Sequence, residues 1–204
     1  MVLGGSASGA AFAPVAERLS MDCHLITTNG YERHLKFRVP DYYVLIDDVA
    51  CARFESQGRD IQHSGGRLIT LDFNAREAAV RKVPHCDLYL RTARRPRNSE
   101  GFIDFEPGVM VEAGFSGLYA LQFAVNMGAL VVALMGMEGY PRTESLASIM
   151  HIGPFTQQVI TQSPGTRFIF CGVPQYPLSG GNVTFIENPA DLPGVFAEAL
   201  KELC

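Results

Sequence analysis

The chain has 204 residues, 47 % hydrophobic and 19 % charged, which suits one compact domain and excludes a disordered segment. A formal net charge of −4 gives no whole-molecule field that would draw nucleic acid. No uninterrupted apolar run is long enough to cross a bilayer, and the start, Met1-Val2-Leu3-Gly4-Gly5, lacks the basic flank of a secretion signal.

Val2-Leu3 reads as a short first strand. Gly4-Gly5-Ser6-Ala7-Ser8-Gly9 is the flexible turn after it, and Ala10–Leu19 carries apolar residues at helical spacing. His24–Thr28 is a second strand closed by Asn29-Gly30. Pro40-Asp41 opens a third, Tyr42–Ile46, closed by Asp47-Asp48. Arg67–Leu71 and Asp87–Leu90 are further strands, with a short helix near Ala75–Arg81 between them. The stretch 91–114 exceeds usual loop lengths and reads as a lid or binding loop. An apolar helix follows from Phe115, with a glycine stop at Gly128, a buried strand to Met135, and a polar turn bearing Glu138 and Tyr140. Ser145–Gln162 reads as a helix that Pro154 must bend or interrupt. Arg167–Cys171 is a last β run and Asp191–Leu203 a terminal helix.

Short, almost wholly apolar strands separated by helices are the signature of a parallel sheet covered on both faces. The expectation is a single-domain Rossmann-like three-layer α/β sandwich over 1–204, with a mostly parallel sheet. In such open sheets ligands bind beyond the carboxyl ends of the strands. A strand that delivers Glu138 and Tyr140 to that edge is therefore a candidate active-site wall, the alternative being an ordinary polar loop.

The Gly4–Gly9 turn sits between strand and helix, where backbone N–H groups hold phosphate. It is neither G-x-G-x-x-G nor a Walker loop, so neither NAD nor a P-loop is supported, and a tight turn with Ser8 as N-cap is the other reading. Asn29 is placed to bond a base or sugar, or to make a turn with Gly30. Asp47 and Asp48 suit Mg²⁺, ribose or an acceptor sugar, or else a helix cap. Arg91, Arg94, Arg95 and Arg97 suit phosphate or carboxylate recognition, or a solvated basic loop. His151 is a candidate base by position, against a surface or packing role; His24, His34, His63 and His85 lack metal-ligand spacing. Five cysteines, odd in number and without a C-x-x-C pair, argue against zinc or disulfides and for buried thiols at Cys23, Cys51, Cys86 and Cys171 in a reducing cytoplasm.

Taken in order, several segments resemble the bacterial sialyltransferases of glycosyltransferase family 42. The relatives of those enzymes include the motility accessory glycosyltransferases and the hydroxymethylpterin pyrophosphokinases. The segments are Gly4–Gly9, Thr28-Asn29-Gly30, Pro40-Asp41-Tyr42 to Asp47, Ser116-Gly117-Leu118-Tyr119 and Gly136-Met137-Glu138-Gly139-Tyr140. Met150-His151 before the strand ending Phe170-Cys171 looks like the segment bearing the family's catalytic His. The resemblance implies that His151 is general base and Tyr140 a phenol on the leaving phosphate. It also implies nucleotide contacts at Gly4, Gly5, Ser6, Ser8, Asn29, Ser116, Gly117, Gly136 and Glu138. Asp47, Asp48, Arg94 and Arg95 are then candidates for substrate or phosphate. Gly5 stands where the family's first turn has Asn, and Ala7-Ser8-Gly9 where it has Pro-Ser-Leu.

The expectation is thus a metal-independent, cytoplasmic nucleotide-sugar-dependent glycosyltransferase. It would use a donor such as a CMP-sugar as substrate, with no resident cofactor and no metal site, no nucleic-acid partner and no membrane span. The acceptor and the oligomeric state stay open. The alternatives are a Mg²⁺-dependent pyrophosphokinase-like transferase using Asp47, Asp48 or Glu138, and a catalytically inactive Rossmann module that binds a nucleotide or a protein.

Overall fold

The computed structural model describes residues 1–4, 7–19, 23–28, 35, 39–46, 48–72, 86–93, 109–111, 115–137, 146–174 and 176–203. Nine strands among them form one sheet: β1 (Val2–Leu3), β2 (Ile26–Thr28), β3 (Tyr42–Val44), β4 (Arg67–Leu71), β5 (Leu88–Ala93), β6 (Val109–Val111), β7 (Val131–Met135), β8 (Arg167–Cys171) and β9 (Val183–Ile186). Their order across the sheet is β6-β5-β4-β3-β2-β1-β7-β8-β9, and every pair is parallel. The described helices are α1 (Ala7–Leu19), α2 (Asp48–Arg53), α3 (Glu55–His63), α4 (Ser116–Asn126), α5 (Leu146–Gln162) and α6 (Leu192–Lys201). This is a Rossmann-like α/β sandwich. Among the described residues no helix is long and apolar enough to cross a membrane.

Alternation along the strands builds two cores. Leu3, Leu68, Ala133, Met135, Ile169 and Cys171 turn to a layer with Phe12 of α1, Cys51 of α2, Ile61 of α3 and Phe196 of α6. Val2, Ile69, Val132, Leu134, Phe168 and Phe170 turn the other way, against Leu118 and Leu121 of α4 and Phe155 and Val159 of α5. A strand covered on both faces has no polar face to show, which is why these segments read as unbroken apolar runs.

Several elements depart from the sequence expectations. Arg91–Ala93 continue β5, and Val109–Val111 form β6 against it, so the stretch 91–114 is not wholly irregular. Residues 94–108 and 112–114, with Arg94, Arg95 and Arg97, lie outside the described residues, as does the helix expected near Ala75–Arg81. Between β3 and β4 the chain forms α2 and α3, which no apolar period announces. In α3 only Gly58 and Ile61 are buried, and a β-carbon on Gly58 would lie 3.0 Å from Leu68 Cδ2, so the helix packs on β4 through an absent side chain. Strand β9 was equally silent, because two of its four residues are exposed at the sheet edge. α1 begins at Ala7, earlier than expected, and α5 is one helical element that includes Pro154. Cys51, Cys86 and Cys171 are buried thiols outside any disulfide, and Cys23 is half-buried.

Register at the opposite edge from the strand carboxyl ends is set twice by the same device. Asp41 donates its N–H to the Leu25 carbonyl at 3.0 Å, and its carboxylate accepts the Leu25 N–H at 2.7 Å. Asp87 repeats this on Leu68, at 2.9 Å and 2.7 Å, and also accepts from Gln62 Nε2. Each aspartate thus satisfies a buried backbone donor at the point where a new strand joins its neighbour. Asp87→Ala should cost about 1–3 kcal/mol in urea unfolding, the penalty of an unpaired buried N–H, and Asp87→Asn, which keeps an acceptor, should recover most of it.

The Cys86 thiol is pushed from its ordinary 9.0 up to about 12, first by burial and then by the neighbouring Cys51 and Asp87. Its ionisation therefore leaves stability intact below about pH 9 and erodes it as pH rises toward 12, because the unfolded chain releases that proton first. Alkylation of the Cys86 peptide at pH 8, followed by mass spectrometry, should track global unfolding rather than proceed in the native protein.

Candidate functional site

The chain winds in opposite directions from β1 and β7. After β1 it enters α1, on one face of the sheet, and after β7 it continues to α5, on the other. The carboxyl ends of these adjacent strands are the topological switch point, where open α/β sheets hold their ligands.

Four of the residues expected in the site meet there. The Gly4 N–H donates to the Met135 carbonyl at 2.7 Å, and the Gly136 N–H donates to Ser8 Oγ at 2.8 Å. A β-carbon on Gly4 would lie 2.5 Å from the Gly136 carbonyl oxygen. Gly136 has φ +71°, and a β-carbon there would lie 2.7 Å from the Gly4 carbonyl carbon. Each glycine makes room for the other's backbone, so the two strands leave the sheet in contact. Gly117, in the first turn of α4, faces the end of the Met137 side chain, whose Cε would lie 2.7 Å from an added β-carbon.

Ser8 lies inside α1 rather than at its N-cap, and its hydroxyl accepts the Gly136 N–H. That corrects the capping alternative. The N-cap residue of α4 is Phe115, and no side-chain hydrogen bond caps that helix. Ser116 and Gly117 therefore open a helix whose first turn lies against Met137, at the exit of β7. Helix N-termini present backbone donors and the positive end of the macrodipole, which favours anions.

Gly5, Ser6, Asn29, Asp47, Glu138 and Tyr140 lie outside the described residues. Thr28, which precedes Asn29, ends β2 and is buried. Asp48 opens α2 after β3, and His151 lies in the second turn of α5; for both the description is of the backbone.

Two further residues at this edge were not among the expected site residues. Met137 is half-buried and packs with the core on the α4–α5 face. Tyr176, from the segment between β8 and β9, is 4 % exposed and donates its hydroxyl to the Met137 carbonyl at 2.8 Å. The run Pro174-Gln175-Tyr176-Pro177 looks like any surface connection.

The fold and this edge define a Rossmann-like protein with its switch point between β1 and β7. No protein-family model, no curated protein and no solved structure matches the chain.

The glycines differ in what a side chain would cost. Gly136→Ala forces a left-handed residue against the Gly4 backbone and should lose about 3 kcal/mol or more. In Gly117→Ala only the flexible end of Met137 must move, so the change should stay within about 1 kcal/mol of wild type. Urea denaturation of both variants checks the contrast.

Proposed function

We propose that this protein is a nucleotide-sugar-dependent glycosyltransferase of the sialyltransferase-like kind, metal-independent, with the nucleotide over the carboxyl ends of β1 and β7. The observation that carries the reading is the convergence of two helix N-termini, α1 and α4, on the glycine-lined switch point. Two backbone donor sets at one crevice suit the phosphate of a CMP-type donor. The order of motifs along the chain supports the same class.

In the proposed reaction His151 takes the proton of an acceptor hydroxyl, whose oxygen attacks the anomeric carbon of the donor sugar. The bond from that carbon to the phosphate oxygen breaks, and CMP departs with its phosphate accepting a hydrogen bond from Tyr140. Asn29, Gly5, Ser6 and Glu138 are assigned to the remaining nucleotide contacts. Arg94 and Arg95, with Asp47 and Asp48, are assigned to the phosphate or the acceptor.

The test is a thermal-shift titration with CMP, UDP, GDP and ATP, each with and without Mg²⁺. A cytidine nucleotide should raise the melting temperature without Mg²⁺, equivalent to about 3 kcal/mol at a hundred times its Kd. A shift only with ATP and Mg²⁺ selects pyrophosphoryl transfer instead. Absence of any nucleotide shift leaves an inactive module. With a donor in hand, His151→Ala should cut turnover roughly a hundredfold and leave nucleotide affinity nearly intact.

A further inference from the structure

We infer that Tyr176 is a positioning residue that holds the exit of β7 at a fixed distance from the helix turn carrying His151. The role assigned to His151 rests on the transferase reading; the link itself rests on described contacts alone.

Three side-chain contacts join the β8–β9 segment to α5 and the turn after it. Tyr176 packs on Gly153, where an added β-carbon would lie 2.8 Å from Tyr176 Cβ and 3.1 Å from its Cγ. One turn further, Gln157 donates to the Ser179 carbonyl and accepts the Ser179 N–H, both at 2.8 Å. At the far end Asn182 Nδ2 lies 3.2 Å from the Ser163 carbonyl and 3.0 Å from that of Thr166, satisfying acceptors past the last turn. The segment is a strap, and it fixes the height of α5 against the sheet.

Tyr176 differs from the other two contacts. Its ring touches α5 while its hydroxyl holds the Met137 carbonyl at 2.8 Å, in the loop just after the left-handed Gly136. Met137 is one residue before Glu138 and three before Tyr140, and Gly153 is two after His151. Pro154 has no N–H to offer the Met150 carbonyl, so the helix turns bearing His151 lack one bond to the strapped part of α5. Those turns therefore depend more on what holds Gly153. Among the described residues, the buried Tyr176 side chain thus links the two chain segments whose separation the proposed reaction must keep.

Tyr176→Phe keeps the ring on Gly153 and removes the hydroxyl that binds Met137. It is read on the ligand-free, full-length protein by amide hydrogen exchange and by the imidazole ¹³C–¹H resonance of His151, assigned by its loss in His151→Ala. Exchange across 137–152 should rise about tenfold, the scale of one lost hydrogen bond, and the His151 resonance should shift. Exchange in β1 and β8, and the resonances of His24 and His63, should hold. Gln157→Leu, which cuts the strap away from Met137, should speed exchange only within 153–162. The inference is overturned by an unchanged His151 resonance, by a rise spread evenly over all strands, or by Gln157→Leu reproducing the Tyr176→Phe pattern. CMP binding by the wild type is read separately and decides only the transferase proposal.

Discussion

The contact between Gly4 and Gly136 is the constraint on which this molecule turns. Here neither residue has a side chain, and the Gly4 N–H to Met135 bond extends the ladder one step past the last strand residue. The left-handed φ of +71° at Gly136 then turns the chain away from β1. Any other residue at either position would push the two strand ends apart and open the edge where α1, α4 and the β7 exit loop converge.

That contact also shows what fills the space left by the missing side chains. A glycine turn between strand and helix invites a phosphate-cradle reading, in which the missing side chain makes way for a ligand. At Gly4 the space is taken by the Gly136 carbonyl, and at Gly117 by the end of Met137. The structure therefore assigns these absent side chains to packing within the protein. The anion-favouring feature that persists is electrostatic, the pair of helix N-termini at one edge.

The sheet has two edges treated in different ways. At β6 the Gln122 side chain, 1 % exposed, accepts the Val111 N–H at 2.8 Å and donates to its carbonyl at 3.0 Å, as a neighbouring strand would. At β9 Gly180 supplies a carbonyl to the Val183 N–H, while Phe185 stacks at a tilt on Phe170, 5.7 Å between ring centres. Both arrangements occupy strand groups that would otherwise face solvent, and such occupation limits pairing with another chain. Beyond β9, Arg167 binds the Gly181 carbonyl at 2.7 Å and Glu202 at 2.8 Å, tying the end of α6 back to the sheet.

The amino-acid sequence by itself determined the class of fold and the direction of the sheet. Runs such as Val131–Met135 and Arg167–Cys171 are apolar at nearly every position, and only a strand buried on both faces needs that. It also located the edge of interest, since a glycine or polar residue after each strand is a local signal. Where burial was one-sided or achieved without a side chain, as in α3 and β9, the pattern fell silent. Tertiary structure alone decided which residues meet. Ser8 and Gly136 are 128 positions apart and Tyr176 and Met137 are 39 apart. No periodicity encodes such pairs, because they depend on the strand order β2-β1-β7-β8 and on how closely two backbones without β-carbons approach.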